Sequence, residues 1–456
     1  MGILNFWVLT MNISTKLSYG FGALGKDFSL AVVNTFLFFY LTEVAAMAPA
    51  TLGIIFLVAR IWDMVDDPLW GYIFTKFYAR YGTYKPWILL GNILNCVLMV
   101  ACFSTHYFDG TTQVIYLAVV YICWGIAYTM CDAPFWALIP NITLDRKDRE
   151  NLLPYPRIAA SLGYYLASIL GIYAVHLLGN GSDGLGYLLF ALLGGLLAIL
   201  SALVTCKWTE QNYHLASTVD FKFADAFTVI TKNQQFLVLI AVALCFLVGA
   251  GISDSVKLYL FKYALGGEEL FSTLNLASAF TAFLTLISFK YLLKLTSRRW
   301  LFTLALISSF LAAIVLAIGS LGYLPTLLAI LLAGILSGFT TAVYWLLIMI
   351  MVADTIDYGT VTLNLRSEAI YYSINTFLGK CAGAVSGFVL GLTLGMLNYD
   401  PNTIPNNTTI NGMIILFASG SVLCLLSALV YWYAYKLNGS KLDEIKAKLL
   451  EHHKEI

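Results

Sequence analysis

The chain has 456 residues, of which 60% are hydrophobic and only 11% charged, against about 25% charged in an ordinary soluble domain. So few charges cannot keep the surface of a soluble fold wet, whereas a bilayer supplies an apolar solvent. The formal net charge of +1, with no basic patch interleaved with aromatics, argues against nucleic acid or an acidic macromolecule as partner.

Along the chain, Met1 to Thr10 is apolar but short and has no basic region before it, which argues against a cleaved signal peptide; Met11 is a second candidate start. A membrane helix needs about 20 mostly apolar residues. About twelve such stretches follow, at 18–43, 48–74, 86–106, 112–139, 157–178, 184–206, 233–264, 269–293, 300–320, 323–353, 368–398 and 410–436. They are continuous apolar runs rather than short alternating ones, so they predict helices and not a barrel.

The gaps between them alternate in charge. Glu43–Thr51, Thr105–Thr111, Leu177–Asp183, Gly319–Pro325 and Leu397–Asn407 carry no Lys or Arg. The other gaps hold Lys76, Arg80 and Lys85; Arg146, Lys147 and Arg149; Lys207, Lys222 and Lys232; Lys294, Arg298 and Arg299; and Arg366. The basic side is expected to be cytoplasmic, with both termini inside; Lys257 and Lys262, near the outer end of the seventh span, are the exception. The polar interruption from Lys207 to Lys232 divides the spans into six plus six.

These features predict an all-α membrane protein of two six-helix bundles, residues 1–206 and 233–437. A central cytoplasmic loop at 207–232 joins them and a cytoplasmic tail follows at 438–456. Short basic gaps after the second and eighth spans repeat between the halves, as in a transporter built from two related bundles.

Ionisable residues inside the apolar spans are the informative ones, because each costs roughly 2.5–3.5 kcal/mol at the bilayer centre. The second span carries Arg60-Ile-Trp-Asp63-Met-Val-Asp66-Asp67-Pro68. Asp63, Asp66 and Asp67 stand at i, i+3 and i+4 and share a helix face. Three adjacent carboxylates cannot all ionise there uncompensated, so a bound cation, a proton or a lysine must neutralise part of the charge. Oxygen ligands suit a hard cation such as Na⁺. Asp63 lies about fifteen residues, roughly 22 Å, into its span, near the midplane.

Lys380 lies at similar depth in the eleventh span and is the natural counter-charge. Lys26 and Asp27 fall in the first span, Asp132 in the fourth, and Arg157 starts the fifth. Asp254 and Lys257 stand at i, i+3 and can pair with each other.

Trp124, Tyr128, Asp132 and Trp136 fall roughly on one face of the fourth span, and Trp345 lies in the tenth. A sugar needs its hydroxyls held by carboxylates and guanidinium and its C–H faces laid on an aromatic ring, and Asp, Arg and Trp together supply both. A tryptophan in a membrane helix is by itself more often packing or interface.

The eight cysteines, Cys96, Cys102, Cys123, Cys131, Cys206, Cys245, Cys381 and Cys424, lie in apolar stretches with no CxxC spacing, so they read as small packing residues. No Walker A, GxSxG or HExxH motif is present, and no histidine lies at depth, so neither ATP-driven transport, an enzyme nor a histidine proton relay is indicated.

The stretches Lys16–Asp27, Arg60–Pro68, Tyr84-Lys-Pro-Trp87, Asp132-Ala-Pro-Phe-Trp136, Ile142–Asp145, Met351–Gly359 and Asn364-Leu-Arg366 resemble the glycoside–pentoside–hexuronide:cation symporter family, most closely its melibiose-transporting members, over nearly the whole chain. The resemblance implies a major facilitator fold in the inner (cytoplasmic) membrane of a bacterium. It implies symport of a melibiose-like galactoside with Na⁺, Li⁺ or H⁺ by alternating access, with no cofactor besides that coupling cation.

By motif match, Asp63, Asp67 and Thr129 would take the cation, a Na⁺ or Li⁺ site with Lys380 beside it. Lys26, Asp27, Tyr128, Asp132, Trp136, Arg157, Trp345 and Thr376 would line the sugar site, and Asp354 and Arg366 would belong to an inner gate. The expected partners are a sugar, a monovalent cation and the lipid bilayer, with the protein acting as a monomer.

Three positions depart from the family pattern: Asp66 where a neutral residue, often Asn, is expected, Asn34 for an aromatic, and Asp254 for Asn. Three carboxylates, Lys380 and one bound cation still sum to −1, so Asp66 is expected to keep a proton when the cation is bound. Symport of another glycoside (raffinose, lactose, a β-glycoside or a pentoside) is the nearest alternative; a non-transporting sugar sensor is the alternative of another class.

Overall fold

The computed structural model describes residues 13–142, 154–211, 231–363, 368–401 and 405–439, with positions 152, 403, 441, 442, 444, 445 and 448. Arg366, and the side chains of Asp67 and Thr376, lie outside what is described. Twelve long helices appear and, among the described residues, no strand. They are α1 (Ile13–Glu43), α2 (Pro49–Tyr81), α3 (Lys85–Cys102), α4 (Gly110–Ala137), α5 (Pro154–Gly179), α6 (Asp183–Trp208), α7 (Gln234–Tyr263), α8 (Leu270–Leu295), α9 (Arg298–Ser320), α10 (Thr326–Leu363), α11 (Glu368–Met396) and α12 (Asn407–Ala434).

Eleven of the twelve contain a stretch long and apolar enough to cross a membrane. The exception is α2, which carries Arg60, Asp63, Asp66 and Asp67 in its middle.

Helix ends differ from the apolar spans where local chemistry overrides hydropathy. The α10 helix runs ten residues past the end of its apolar span, through Asp354–Leu363. No proline interrupts that stretch, and the hydroxyls of Thr360 and Thr362 bond the carbonyls one turn back. The α3 helix instead stops at Cys102, where Ser104 and Thr105 bond the carbonyls of Ala101 and Cys102 and draw the backbone into a turn. The side chains of Asn233, Ser297 and Asn406 accept from the first-turn N–H groups of α7, α9 and α12.

The chain divides into two compact units, Met1–Thr218 and Val219–Ile456. In the first, α1 packs on α5 and α6, α3 on α4 and α6, and α2 on α4. In the second, α7 packs on α11 and α12, α9 on α10 and α12, and α8 on α10. Adding six to each helix number turns the first set of neighbours into the second, the signature of a duplicated bundle.

Close approaches recur in both units. A Cβ at Gly91 of α3 would stand 2.6 Å from the Cys131 nitrogen of α4, and one at Gly420 of α12 would stand 2.9 Å from the Ser253 nitrogen of α7. Small residues at such crossings let backbones meet, the usual route to helix association in lipid.

The first unit's core stacks Tyr19 on Phe135 at 4.3 Å, with the Tyr19 hydroxyl donating to the Phe135 carbonyl. The second unit's core gathers Phe246, Phe302, Tyr344, Leu347 and Tyr431. Outward faces are apolar: Leu193, Leu196 and Leu200 on α6, and Phe280, Leu284 and Ile287 on α8, are exposed at helical spacing, as a bilayer-facing surface requires.

Candidate functional site

Two polar clusters lie within the first unit. The first is centred on Lys26, which is 3% exposed on α1. Its Nζ donates to Asp27 Oδ1 at 2.5 Å, to Asp132 Oδ1 at 2.6 Å and to the Tyr128 hydroxyl at 3.2 Å. Asp132 Oδ1 also accepts from the Trp136 indole N–H at 3.0 Å. The Arg157 guanidinium stands 4.4 Å from the centre of the Trp136 ring, close enough for a cation–π contact.

The turn spacing of α4 explains why Tyr128, Asp132 and Trp136, each four residues apart, face α1 and α5 together. Two cations and two carboxylates cancel, so the cluster is neutral. Each carboxylate gives one oxygen to Lys26, and the side chains of Asp27 and Asp132 stay 20% and 31% exposed. Oxygen acceptors, a guanidinium and an aromatic face are thus presented together without net charge.

The second cluster surrounds α2. Asp63 and Asp66 are 3% and 4% exposed. Arg60 donates to Asp63 Oδ2 at 2.8 Å and to the Tyr121 hydroxyl at 3.3 Å. Gly125 of α4 leaves the room that Asp63 occupies: a Cβ there would stand 2.8 Å from Asp63 Oδ1. Thr129, one turn further along α4, is buried.

Arg60, Tyr121 and Gly125 do not appear among the residues expected from sequence. The signal for Arg60 was its i, i+3 spacing to Asp63; for Tyr121 and Gly125 only the packing of α2 on α4 reveals the contact.

Trp124 is 1% exposed. Its indole N–H donates to Asn95 Oδ1 at 2.8 Å, and Asn95 in turn donates to Ser29. It stacks between Tyr121 at 5.6 Å and Tyr128 at 5.9 Å. Tyr121 also stacks on Phe56 at 4.4 Å. A ladder of rings therefore runs along α4 from the residue that touches Arg60 to the residue that touches Lys26.

In the second unit, Trp345 of α10 is 48% exposed and Lys380 of α11 is half-buried. Asp254 pairs with Lys257 as their spacing suggested. Asp354 is buried near the end of α10 and pairs with Arg298 of α9 at 3.4 Å. Its expected neighbour Arg366, like the side chains of Asp67 and Thr376, lies outside the described residues.

With this geometry in view, the chain's relatives define its class. A family model described as "MFS/sugar transport protein" matches residues 18–439, and the chain belongs to that family. It is a multi-pass membrane transporter of the major facilitator type and not an enzyme; in a bacterium such a protein sits in the inner membrane.

The raffinose carrier protein of Pediococcus pentosaceus is 23% identical over 96% of this chain and 71% of its own length. The putative glycoside/cation symporter YagG of Escherichia coli is 24% identical over 97% of this chain and 96% of its own. The crystal structure of the nucleoside transporter NupG superposes with a TM-score of 0.64 at 13% identity, covering 92% of this chain and 99% of that one. At that identity the likeness is one of fold.

Proposed function

We propose that the protein imports a glycoside together with a monovalent cation, and that the glycoside is a galactoside of the melibiose kind. The observation that carries this reading is the neutral Lys26–Asp27–Asp132–Trp136–Arg157 cluster. An uncharged sugar is recognised by acceptors for its hydroxyls and a ring for its C–H face, with no net charge left buried when the site is empty. Relatives named for raffinose, itself a galactoside, and for glycoside/cation symport support the same class.

In this proposal Lys26, Asp27, Tyr128, Asp132, Trp136 and Arg157 hold the sugar, with Trp345 and Thr376 from the second unit. Asp63, Asp67 and Thr129 hold Na⁺ or Li⁺, with Asp66, Lys380 and the Arg60 paired to Asp63 adjusting the charge; with Arg60 counted, the loaded site is neutral without a proton on Asp66, so the Asp66 variant decides whether that proton is carried. The ring of Trp124 supports the sugar site from behind. Basic loops place both termini in the cytoplasm, and the bundles 1–206 and 233–437, linked by 207–232, alternate access to the site. The Arg298–Asp354 pair, with Arg366, closes the inner end. The cation neutralises carboxylate charge and organises the cavity, so sugar affinity rises; linkage requires the sugar to tighten the cation by the same factor.

Uptake of labelled melibiose into cells lacking other carriers, in Na⁺, Li⁺ or neither and over a pH series, tests the reading. Accumulation stimulated by Na⁺ or Li⁺ is expected. Absent uptake by protein shown to be in the membrane would rule out the galactoside and turn attention to Asn34 and Asp254. In Asp66→Asn the cation preference and pH profile are expected to change; if both stay as in the parent, Asp66 carries no coupling proton.

A further inference from the structure

At one end of the second unit, where α9 begins and α12 ends, a cleft of about 490 Å³ is lined by Arg299, Trp432, Tyr433, Tyr435, Lys436 and Lys441, with Asn438. Arg299 lies over the Trp432 ring, 4.1 Å from its centre, and donates to the Trp432 carbonyl. That bond anchors the guanidinium at the carbonyl end of α12, where a cation is favoured.

The anchoring leaves part of the guanidinium's donor capacity unused. Arg299 Nε is buried, and among the described residues it has no hydrogen-bond partner.

The cleft is also strongly cationic. Among the described residues no carboxylate lies within ion-pair distance of Arg299, Lys436 or Lys441; Asp354 pairs with Arg298, and Glu444 pairs with Lys448 while standing close enough to feel the charge of Lys441. Lys436 and Lys441 are exposed, so their charges remain available to a ligand.

The surroundings say where such a ligand would come from. Trp300 packs against Trp432 with tilted rings at 4.8 Å and is half exposed, and Tyr433 is 80% exposed. These amphipathic rings stand at the ends of two apolar membrane helices, the level at which tryptophan and tyrosine settle among lipid headgroups.

We propose that this cleft is a binding site for the phosphate of an anionic phospholipid. The exposed Lys436 and Lys441 would pair with the phosphate oxygens, Arg299 behind them would add its charge, and the acyl chains would lie against the apolar flank of α9 and α12.

The test compares the purified full chain in nanodiscs of phosphatidylcholine with and without phosphatidylglycerol, with lipid binding read by native mass spectrometry and thermal unfolding read alongside. Phosphatidylglycerol is expected to remain bound and to raise Tm. The Lys436→Gln/Lys441→Gln double variant, altered only at exposed side chains, is expected to weaken that binding on the order of 10-fold. A control, Lys290→Gln/Lys294→Gln, removes the same charge from exposed positions on α8 and is expected to leave binding unchanged.

Equal binding by the cleft variant and the parent, or equal loss in the control, would overturn the site. Inorganic phosphate in detergent that raises Tm as much as phosphatidylglycerol, with the same dependence on Lys436 and Lys441, would overturn the lipid as its source.

Discussion

At the residue scale, the two clusters of the first unit make separable demands. Trp136 supplies both a ring face and the N–H that bonds Asp132. Trp136→Phe keeps the face and loses a bond worth about 1 kcal/mol, so sugar Kd is expected to rise about fivefold. Trp136→Ala loses both and is expected to cost roughly 2 kcal/mol or more, about 30-fold; isothermal titration in saturating cation separates the two. Gly125 bears on the other cluster, because its missing side chain is the space taken by the Asp63 carboxylate. Gly125→Ala is expected to weaken Na⁺ or Li⁺ binding on the order of 10-fold, about 1.4 kcal/mol, while sugar binding without the cation stays near that of the parent. Unchanged cation affinity in that variant would remove Asp63 from the cation site.

At the element scale, α4 connects the clusters. It presents Gly125 and Thr129 towards α2, and Tyr128, Asp132 and Trp136 towards α1 and α5, with the Tyr121–Trp124–Tyr128 stack between. We propose that these packed rings couple the two clusters, so that displacement of Tyr121 by events at Arg60 and Asp63 reaches Tyr128 beside Lys26. Coupling between two ligands is typically 1–3 kcal/mol, or about 5- to 150-fold in affinity. In Trp124→Leu the factor by which cation tightens sugar is expected to fall several-fold, while each ligand alone binds within about twofold of the parent. A loss confined to sugar affinity, with the coupling factor intact, would instead make Trp124 a support for the sugar site only.

The elements themselves were largely legible in the sequence. The apolar spans mark the positions of all twelve helices, although the charged middle keeps α2 from qualifying as a membrane crossing; a backbone in lipid must satisfy its hydrogen bonds internally, and helices do so within one segment. Hydropathy misses the extension of α10 past Asp354 and the early stop of α3, since helical hydrogen bonding continues in water and hydroxyl side chains end it in apolar sequence. The repeated cationic tie is also visible only in three dimensions. Lys85 at the start of α3 donates to the Thr209 carbonyl beyond α6 at 2.7 Å, and Arg299 at the start of α9 donates to the Trp432 carbonyl in α12.

At the scale of the whole molecule, stability has a pH-sensitive element outside the membrane spans. His106, in the turn between α3 and α4, has its Nδ1 2.6 Å from the Tyr40 hydroxyl, and Tyr40 donates to the Phe103 carbonyl. Burial lowers the pKa of this histidine below its ordinary value. The folded ring therefore takes a proton less readily than the unfolded chain. Its contribution to stability is complete above about pH 6.5 and is lost as the pH falls below that, until the folded ring also protonates. Tm in detergent is expected to drop between about pH 7 and 5, and His106→Asn is expected to flatten that slope; an unchanged slope would assign it to other groups.

The sequence by itself determined the solvent of this protein, its helix count, its six-plus-six division and the ionisable residues inside the spans. Each of these follows from local composition, and the cost of charge in lipid makes every buried ion conspicuous. Only tertiary structure decided the partners of those ions. Lys26 reaches across to Asp132, Arg60 folds back on Asp63, and Asp354 finds Arg298, while Trp124 turns into the packing instead of standing open beside Trp136. Helix periodicity assigns a residue to a face, but which neighbour that face meets depends on crossings such as Gly91 against Cys131 and Gly249 against Gly420. Those crossings are fixed by the shapes of two helices at once, which neither helix carries in its own sequence.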